Sequence, residues 1–153
     1  MSDIGKRTIF VGPADGANHK PLNLEGVATE AAAPGSVMDY AAASAGFELM
    51  DDAATVFGKP LLVADKDQQR TKSVDDAWTV DENMVVIQPR SGEFLNVLCI
   101  TGQALVRGTA LTRSAATPGA LVIAATDGTE EILCYADEIV TTAATQLVRV
   151  RVA

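Results

Sequence analysis

The chain contains one histidine and two cysteines, side chains that serve enzymes as bases, nucleophiles and zinc ligands. His19 lies in a turn-forming segment, residues 18–21, and nothing around it indicates a paired nucleophile and base. Cys99 and Cys134 are 35 positions apart (134 − 99), which is not a usual zinc-ligand spacing. We therefore predict that His19 is a surface residue and that the protein is not an enzyme and has no metal or cofactor.

Two kinds of acidic site are weaker alternatives. Asp65-Lys66-Asp67 begins like a calcium-binding loop, but no glycine stands at the sixth position and the twelfth is Asp76 instead of glutamate. Glycosidase chemistry needs two carboxylates that face each other across a cleft, and the carboxylates of this chain are spread over polar segments. A solvated loop therefore explains Asp65 and Asp67 better than a metal site or a catalytic pair.

Charge and hydropathy exclude two classes of partner. The chain has 20 acidic and 12 basic residues, a net charge of −8, and would repel the phosphates of nucleic acid. It shows no secretory signal and no apolar run of about 20 residues. We predict that it binds neither nucleic acid nor membrane and is made in a cytoplasm-like compartment, with Cys99 and Cys134 buried as free thiols. A disulfide between them remains the alternative.

The composition indicates a thin core. There are 25 alanines and 14 threonines, against 4 phenylalanines, 2 tyrosines and 1 tryptophan. Large side chains normally supply most of the buried area of a core, and small domains with thin cores often gain stability by association. We therefore predict a discrete oligomer, with a trimer as the expected form.

Short strands separated by turns dominate the sequence. Residues 146–152 alternate in polarity, with three valines on one face, and residues 84–88 form an apolar run that ends at Pro89. The segment 65–79 is polar and predicts a long exposed loop. Further short strands are predicted at 94–100, 120–124 and 132–135, with helical turns only at 50–57 or 41–43. The pattern predicts an all-β sandwich or barrel, either jelly-roll-like or β-tulip-like.

The two halves of the chain align with each other. Leu22 aligns with Leu95 at an offset of 73 (95 − 22), and Gly35 and Gly46 keep this offset to Gly108 and Gly119. Residues 61–63 match 132–134 at an offset of 71, and residues 84–87 match 147–150 at 63, as a shortened loop in the second half would produce. The alignment predicts an internal duplication within a β domain of residues 21–153, with units 21–92 and 93–153. Chance alignment of strands rich in Ala, Val and Gly is the alternative.

Residues 1–20 are predicted to form an extended N-terminal arm. It contains the β-type run Thr8-Ile9-Phe10-Val11, followed by turn residues. Such a strand, with no local partner, either lies on its own domain or adds to a neighbour's sheet. We favour the second alternative and predict that Ile9, Phe10 and Val11 contact another subunit. Trp78, in the polar loop, either covers one end of the β core or anchors a further contact.

Four segments of the second half carry a resemblance to a known family. They are Gly102–Leu111, Ala124–Leu133 with its Thr-Asp-Gly-Thr-Glu turn, Tyr135–Val140, and the alternating Val/Arg strand of residues 147–152. This stretch of about 60 residues, from Gly92 to Ala153, resembles bacteriophage head decoration (capsid cement) proteins. The first half and the arm are longer than in the small β-tulip members, so a jelly-roll or tandem-barrel cement protein would also suit.

The resemblance implies a virion structural protein assembled in the host cytoplasm. Such proteins are homotrimers, or less often dimers, on the outside of an icosahedral capsid. There they bridge subunits of the major capsid protein and help the shell to resist the pressure of packaged DNA. The resemblance implies that the arm and loops at one end of the β body make the contacts, which gives Ile9, Phe10, Val11 and Trp78 as contact residues. The alternatives are another virion β module, such as a tail, baseplate or receptor-binding domain, and a small β-fold enzyme.

Overall fold

The computed structural model describes residues 6–12, 21–51, 59–126 and 128–153. These residues contain strands and turns but no helix, which confirms the prediction of an all-β fold. Residues 42–43 form a turn, and most of the segment 50–57 lies outside the described residues. The strands are β1 (Phe10–Gly12), β2 (Leu22–Ala28), β3 (Val37–Tyr40), β4 (Gly46–Leu49), β5 (Leu62–Ala64), β6 (Asn83–Gln88), β7 (Phe94–Cys99), β8 (Ala104–Leu105), β9 (Ala110–Arg113), β10 (Leu121–Ile123), β11 (Cys134–Ala136), β12 (Val140–Thr141) and β13 (Gln146–Val152).

Ten of these strands form two closed sheets. The first barrel has the order β2-β4-β3-β5-β6, and β6 pairs back to β2. The second barrel has the order β7-β10-β9-β11-β13, and β13 pairs back to β7. In the first barrel β2 and β4 are parallel, and in the second barrel the equivalent strands β7 and β10 are parallel. All other neighbouring strands in both barrels are antiparallel. The chain therefore builds one strand arrangement twice, and β8 and β12 add a two-stranded ribbon beside the second copy.

Equivalent residues of the two barrels occupy equivalent pairs. Met38 pairs with Leu62 in the first barrel, and Leu111 pairs with Cys134 in the second. All four side chains are buried, and the offsets are 73 (111 − 38) and 72 (134 − 62). The duplication seen in the sequence thus corresponds to a repeated arrangement of strands and of buried side chains.

The register of the repeated strands differs from the sequence alignment. The alignment had offsets of 71 for β5 and 63 for β6, each one residue less than the structural offsets of 72 and 64, and the first strand differs more. Leu24 pairs with Val86, and the equivalent pair in the second barrel is Leu95 with Val150, at offsets of 71 (95 − 24) and 64 (150 − 86). The alignment placed Leu22 on Leu95, which is two residues out of register. Repeated Leu-Asn dipeptides at 22–23 and 95–96 caused this error, because sequence similarity does not reveal which residues face each other across a sheet.

The glycines aligned at offset 73 are only partly equivalent. Gly35 and Gly108 both have φ of +87°, a left-handed conformation that other residues avoid. Gly119 also has a positive φ, of +77°, but Gly46 does not. Gly46 is required for a different reason, since a Cβ atom there would lie 2.4 Å from the backbone oxygen of Val27.

The two barrels pack tightly against each other. Val37, Val63 and Ile87 of the first barrel are buried in the same hydrophobic cluster as the core of the second barrel. Backbone hydrogen bonds also cross between the barrels. The N–H of Val37 donates to the backbone oxygen of Gly119 (2.7 Å), and the N–H of Leu98 donates to the backbone oxygen of Gly35 (2.9 Å). The barrels are therefore joined by apolar packing and by main-chain hydrogen bonds, as parts of one body.

The described part of the arm, residues 6–12, lies on its own chain. Phe10 pairs with Leu95, and the Ile9 side chain is fully buried in the cluster of the second barrel. Lys6 forms an ion pair with Glu138 and donates to the backbone oxygen of Leu147 at 2.7 Å. The described part of the arm therefore lies on its own domain and does not add to a neighbour's sheet, because β7 offers an edge that this segment fills.

Candidate functional site

The four predicted contact residues lie in two places, three of them at β1 and Trp78 in the first barrel. Ile9 is 0% exposed in the core of the second barrel, and Trp78 is 3% exposed in the core cluster of the first. Phe10 is partly buried, and Val11 is 45% exposed on β1. The structure therefore brings Ile9, Phe10 and Val11 together but not Trp78, and the Ile9 and Trp78 side chains offer almost no surface to a partner.

Trp78 closes one end of the first barrel. It forms an isolated antiparallel bridge with Ala32, and its indole N–H donates to the backbone oxygen of Asp65 at 2.7 Å. In the second barrel the paired residues Leu105 and Val140 of the ribbon stand at the equivalent position, since 105 is 73 residues after 32. Trp78 thus acts as a plug over the core, which was one of its two interpretations from the sequence.

The polar segment that follows β5 is held by its own side chains. The carboxylate of Asp65 accepts from the backbone N–H of Lys66 (2.8 Å) and from the amide of Gln68 (2.9 Å). That of Asp67 accepts from the backbone N–H of Arg70 (3.0 Å). Burial raises the pKa of Asp65 above its ordinary value of 3.8. Among the described residues no group of three or more acidic, histidine or cysteine side chains is placed to hold a metal ion, and Asp65 and Asp67 instead order the loop.

Glu82 holds the other end of this loop. Its carboxylate accepts from the backbone N–H of Thr79 at 2.7 Å and forms ion pairs with Arg70 and Lys72. The hydrogen bond from Thr79 is the main cause that lowers the pKa of Glu82 to about 2. The loop therefore has a defined conformation at neutral pH, and this support is lost as the pH falls from about 4.5 toward 2.

A polar cleft lies between this loop and the outer face of β2 and β6. It has a volume of about 400 Å³. Its floor includes Asn23 and Glu25 of β2, and its walls include Lys66 and Gln69. This cleft was not predictable from the sequence, because β2 and the loop are more than 40 residues apart (65 − 23) and neither has an unusual composition.

The two cysteines are free thiols buried in the second barrel. This confirms the prediction for Cys99 and Cys134 over the disulfide alternative. Burial raises the pKa of Cys99 to about 11 and raises the pKa of Cys134 further, where the neighbouring Cys99 adds to the effect. Both groups are therefore neutral thiols that pack as small apolar side chains.

We expect this pair to make stability depend on pH in alkaline solution. An unfolded thiol ionises near its ordinary pKa of 9.0, whereas the folded Cys99 ionises only near 11. The free energy of unfolding therefore keeps its full contribution from the thiols below pH 9. Above pH 9 it falls by roughly 1 kcal/mol per pH unit for each thiol. Urea unfolding at pH 8 and pH 10.5 measures this change, with a Cys99→Ala/Cys134→Ala variant as the control that shows a smaller decrease. Equal decreases in both proteins would contradict the prediction.

A pair of exposed apolar side chains lies at one end of the ribbon. Val106 follows Leu105 at the end of β8 and Ile139 precedes its partner Val140 at the start of β12, so the two residues flank the same end of the ribbon. Val106 is 58% exposed and Ile139 is 76% exposed. We call Val106 and Ile139 the apolar tip. The equivalent residues beside Ala32 and Trp78 in the first barrel are alanines, at positions 33 and 77, so the tip belongs to the second barrel alone.

Comparison of the chain with protein-family models and with curated protein sequences finds no match. No helix in the described part of the chain is long and apolar enough to cross a membrane. His19 lies outside the described residues. The candidate functional surfaces in the described part of the chain are the apolar tip, the cleft beside β2, and the exposed edge of β2 itself.

Proposed function

We propose that the protein is a structural subunit that decorates the outside of a bacteriophage capsid as a homotrimer and bridges neighbouring major capsid protein subunits. The resemblance of residues 92–153 to head decoration proteins supports this function. The observation that carries the proposal is the apolar tip, Val106 and Ile139, on a rigid support.

The tip has the properties of an interface anchor. Large apolar side chains that protrude from a folded surface are desolvated when a partner covers them, and a few such residues supply most of the binding energy at an interface. The ribbon that carries the tip is fixed to the second barrel, since the Thr142 hydroxyl donates to the backbone oxygen of Ile100, which follows β7, at 2.6 Å. The Gly108 N–H also donates to the backbone oxygen of Ala136 in β11 at 2.8 Å. Binding therefore costs little conformational entropy at this site.

The joined barrels suit a bridging role. A subunit that resists expansion of a shell must transmit force between two contact points without deforming. The main-chain hydrogen bonds between the barrels and their shared cluster of buried side chains join the two barrels directly. Each copy needs only a modest interface, because many symmetric copies act together on one shell.

We expect the variant Ile139→Asp to bind undecorated capsid shells about 30-fold more weakly, since loss of an interface anchor costs about 2 kcal/mol. Val106→Asp should have an effect in the same direction. Both substitutions are at exposed positions, so the midpoint of thermal unfolding should stay near that of the wild type. Co-sedimentation with shells and electron microscopy of the pellets measure the binding.

The matched control is Val80→Asp. Val80 is 52% exposed, in the turn before β6, and its substitution adds the same charge away from the ribbon. Decoration that is equally tight in all three variants would contradict the role of the apolar tip. Shells that the wild type leaves bare would overturn the proposed function itself.

A further inference from the structure

The edge of β7 that faces away from β13 is filled by the chain's own first strand. The backbone N–H of Asn96 donates to the oxygen of Ile9 at 2.8 Å, and the Asn96 side chain donates to the oxygen of Thr8 at 2.7 Å. Leu95 and Asn96 are only 0% and 5% exposed as a result. Residues 8–12 thus complete the second barrel where β10 does not reach.

The corresponding edge in the first barrel belongs to β2. Leu24 and Glu25 are the equivalents of Leu95 and Asn96, at an offset of 71 (95 − 24). The N–H of Ala28 donates across the β2–β6 pair to the oxygen of Glu82, and hydrogen-bonded pairs alternate along an antiparallel ladder. The backbone groups of Asn23 and Glu25 therefore point away from β6, as those of Asn96 point away from β13.

No strand in the described part of the chain pairs with β2 along this edge before Val27, where β4 begins. Asn23 and Glu25 are exposed, and Leu22 is 56% exposed. Leu24 is only partly buried, whereas its equivalent Leu95 is completely covered. Within the described residues, the first barrel thus has an edge of unpaired backbone groups and incompletely covered leucines where the second has a bound strand.

We infer that this edge of β2, from Leu22 to Glu25, binds one extended segment of a partner protein, antiparallel to β2, in the place equivalent to β1. The strand that fits the equivalent edge has the sequence Thr8-Ile9-Phe10-Val11-Gly12, which defines the chemistry of the occupant as an apolar, β-branched segment. The chain's own Ile9 is already buried at β7 and does not serve both edges. Main-chain hydrogen bonds supply affinity in this kind of recognition, and alternate side chains supply specificity.

The inference rests on the proposed function for the identity of the partner, which is then an extended segment of the capsid subunit. The polar cleft lies beside the same strand, since Asn23 and Glu25 line it together with Lys66 and Gln69. The inference therefore adds a second contact, with a different recognition mode, to the apolar tip.

A peptide of residues 7–12, Arg-Thr-Ile-Phe-Val-Gly, tests the edge without any capsid. Titrated into the full-length protein, it should shift the amide NMR signals of Leu22 to Glu25 and slow hydrogen exchange at Asn23 and Glu25. Glu25→Pro should abolish these shifts, since proline removes an outward N–H that is not part of the β2–β6 ladder. Glu25→Ala keeps the N–H and should bind the peptide as the wild type does.

Amide protons of Asn23 and Glu25 that are already protected in the isolated protein would overturn the inference, because the edge would then be paired within the chain. Peptide shifts confined to β7, or no shifts, would do the same. Shell binding by the Glu25 variants identifies the partner: weaker decoration by Glu25→Pro than by Glu25→Ala supports the capsid segment, and equal decoration overturns it. Normal decoration together with no peptide binding would reject the edge site and leave the proposed function intact.

Discussion

Replacing Ile9 by alanine is expected to lower the free energy of unfolding by about 2–5 kcal/mol, the range for truncating a large buried aliphatic side chain. Ile9 is completely buried in the cluster of the second barrel, and its backbone oxygen accepts the N–H of Asn96 at 2.8 Å. Urea unfolding followed by the fluorescence of Trp78, the single tryptophan, measures the change.

The control for this prediction is Val11→Ala in the same strand. Val11 is 45% exposed, so its truncation should change stability by no more than about 0.5 kcal/mol. The sequence pattern favoured an arm that reaches a neighbouring subunit, and on that hypothesis removing the arm would leave the β body folded. Equal stability of Ile9→Ala and the wild type would restore that hypothesis.

Substituting alanine for Gly35 is expected to cost about 2–5 kcal/mol, from two additive causes. A left-handed conformation costs a residue with a side chain about 1–2 kcal/mol, and Gly35 has φ of +87°. Its new Cβ would also lie 2.3 Å from Leu147 Cδ2 and 3.3 Å from the backbone oxygen of Asn96, and overpacking of this kind costs about 1–3 kcal/mol.

Gly108 is an unusually close control, because it has the same φ of +87° and a Cβ added there would meet no atom within 4 Å beyond its chain neighbours. Gly108→Ala should therefore show only the conformational cost. The difference between the two variants in urea unfolding isolates the contact at the junction of the barrels. Equal losses would show that Leu147 moves aside freely and that the junction is loosely packed.

Those parts of the fold that depend on local pattern were predictable from the sequence. The apolar run at 84–88 became the buried strand β6, and the alternation at 146–152 became β13 with Val148, Val150 and Val152 buried. The alternation at 146–152 has the period of a strand, and the run at 84–88 is identified as a strand by its short length, its β-branched residues and the proline that ends it. The strands β3 and β4 have four residues each, too few for a period to be recognised.

The parts that depend on pairing between distant residues were not predictable. Nothing in residues 8–12 indicates that β7, 85 positions later (95 − 10), is their partner. The location of Trp78 depends in the same way on its bridge to Ala32. For the apolar tip a signal did exist, since Ile139 directly follows the acidic residues Asp137 and Glu138, but its exposure follows only from the pairing of Leu105 with Val140.

The pairing of β1 with β7 also sets an order of events during translation. The strands of the first barrel come from one continuous stretch, residues 22–88, which is synthesised before β7. Phe10 is translated 85 residues before its partner Leu95 (95 − 10), and at about 5–20 residues per second this is roughly 4–17 seconds. Throughout that interval Ile9 belongs to an apolar segment whose pairing strand has not yet been synthesised. The nascent chain is therefore most open to chaperones and to wrong partners just before β7 emerges.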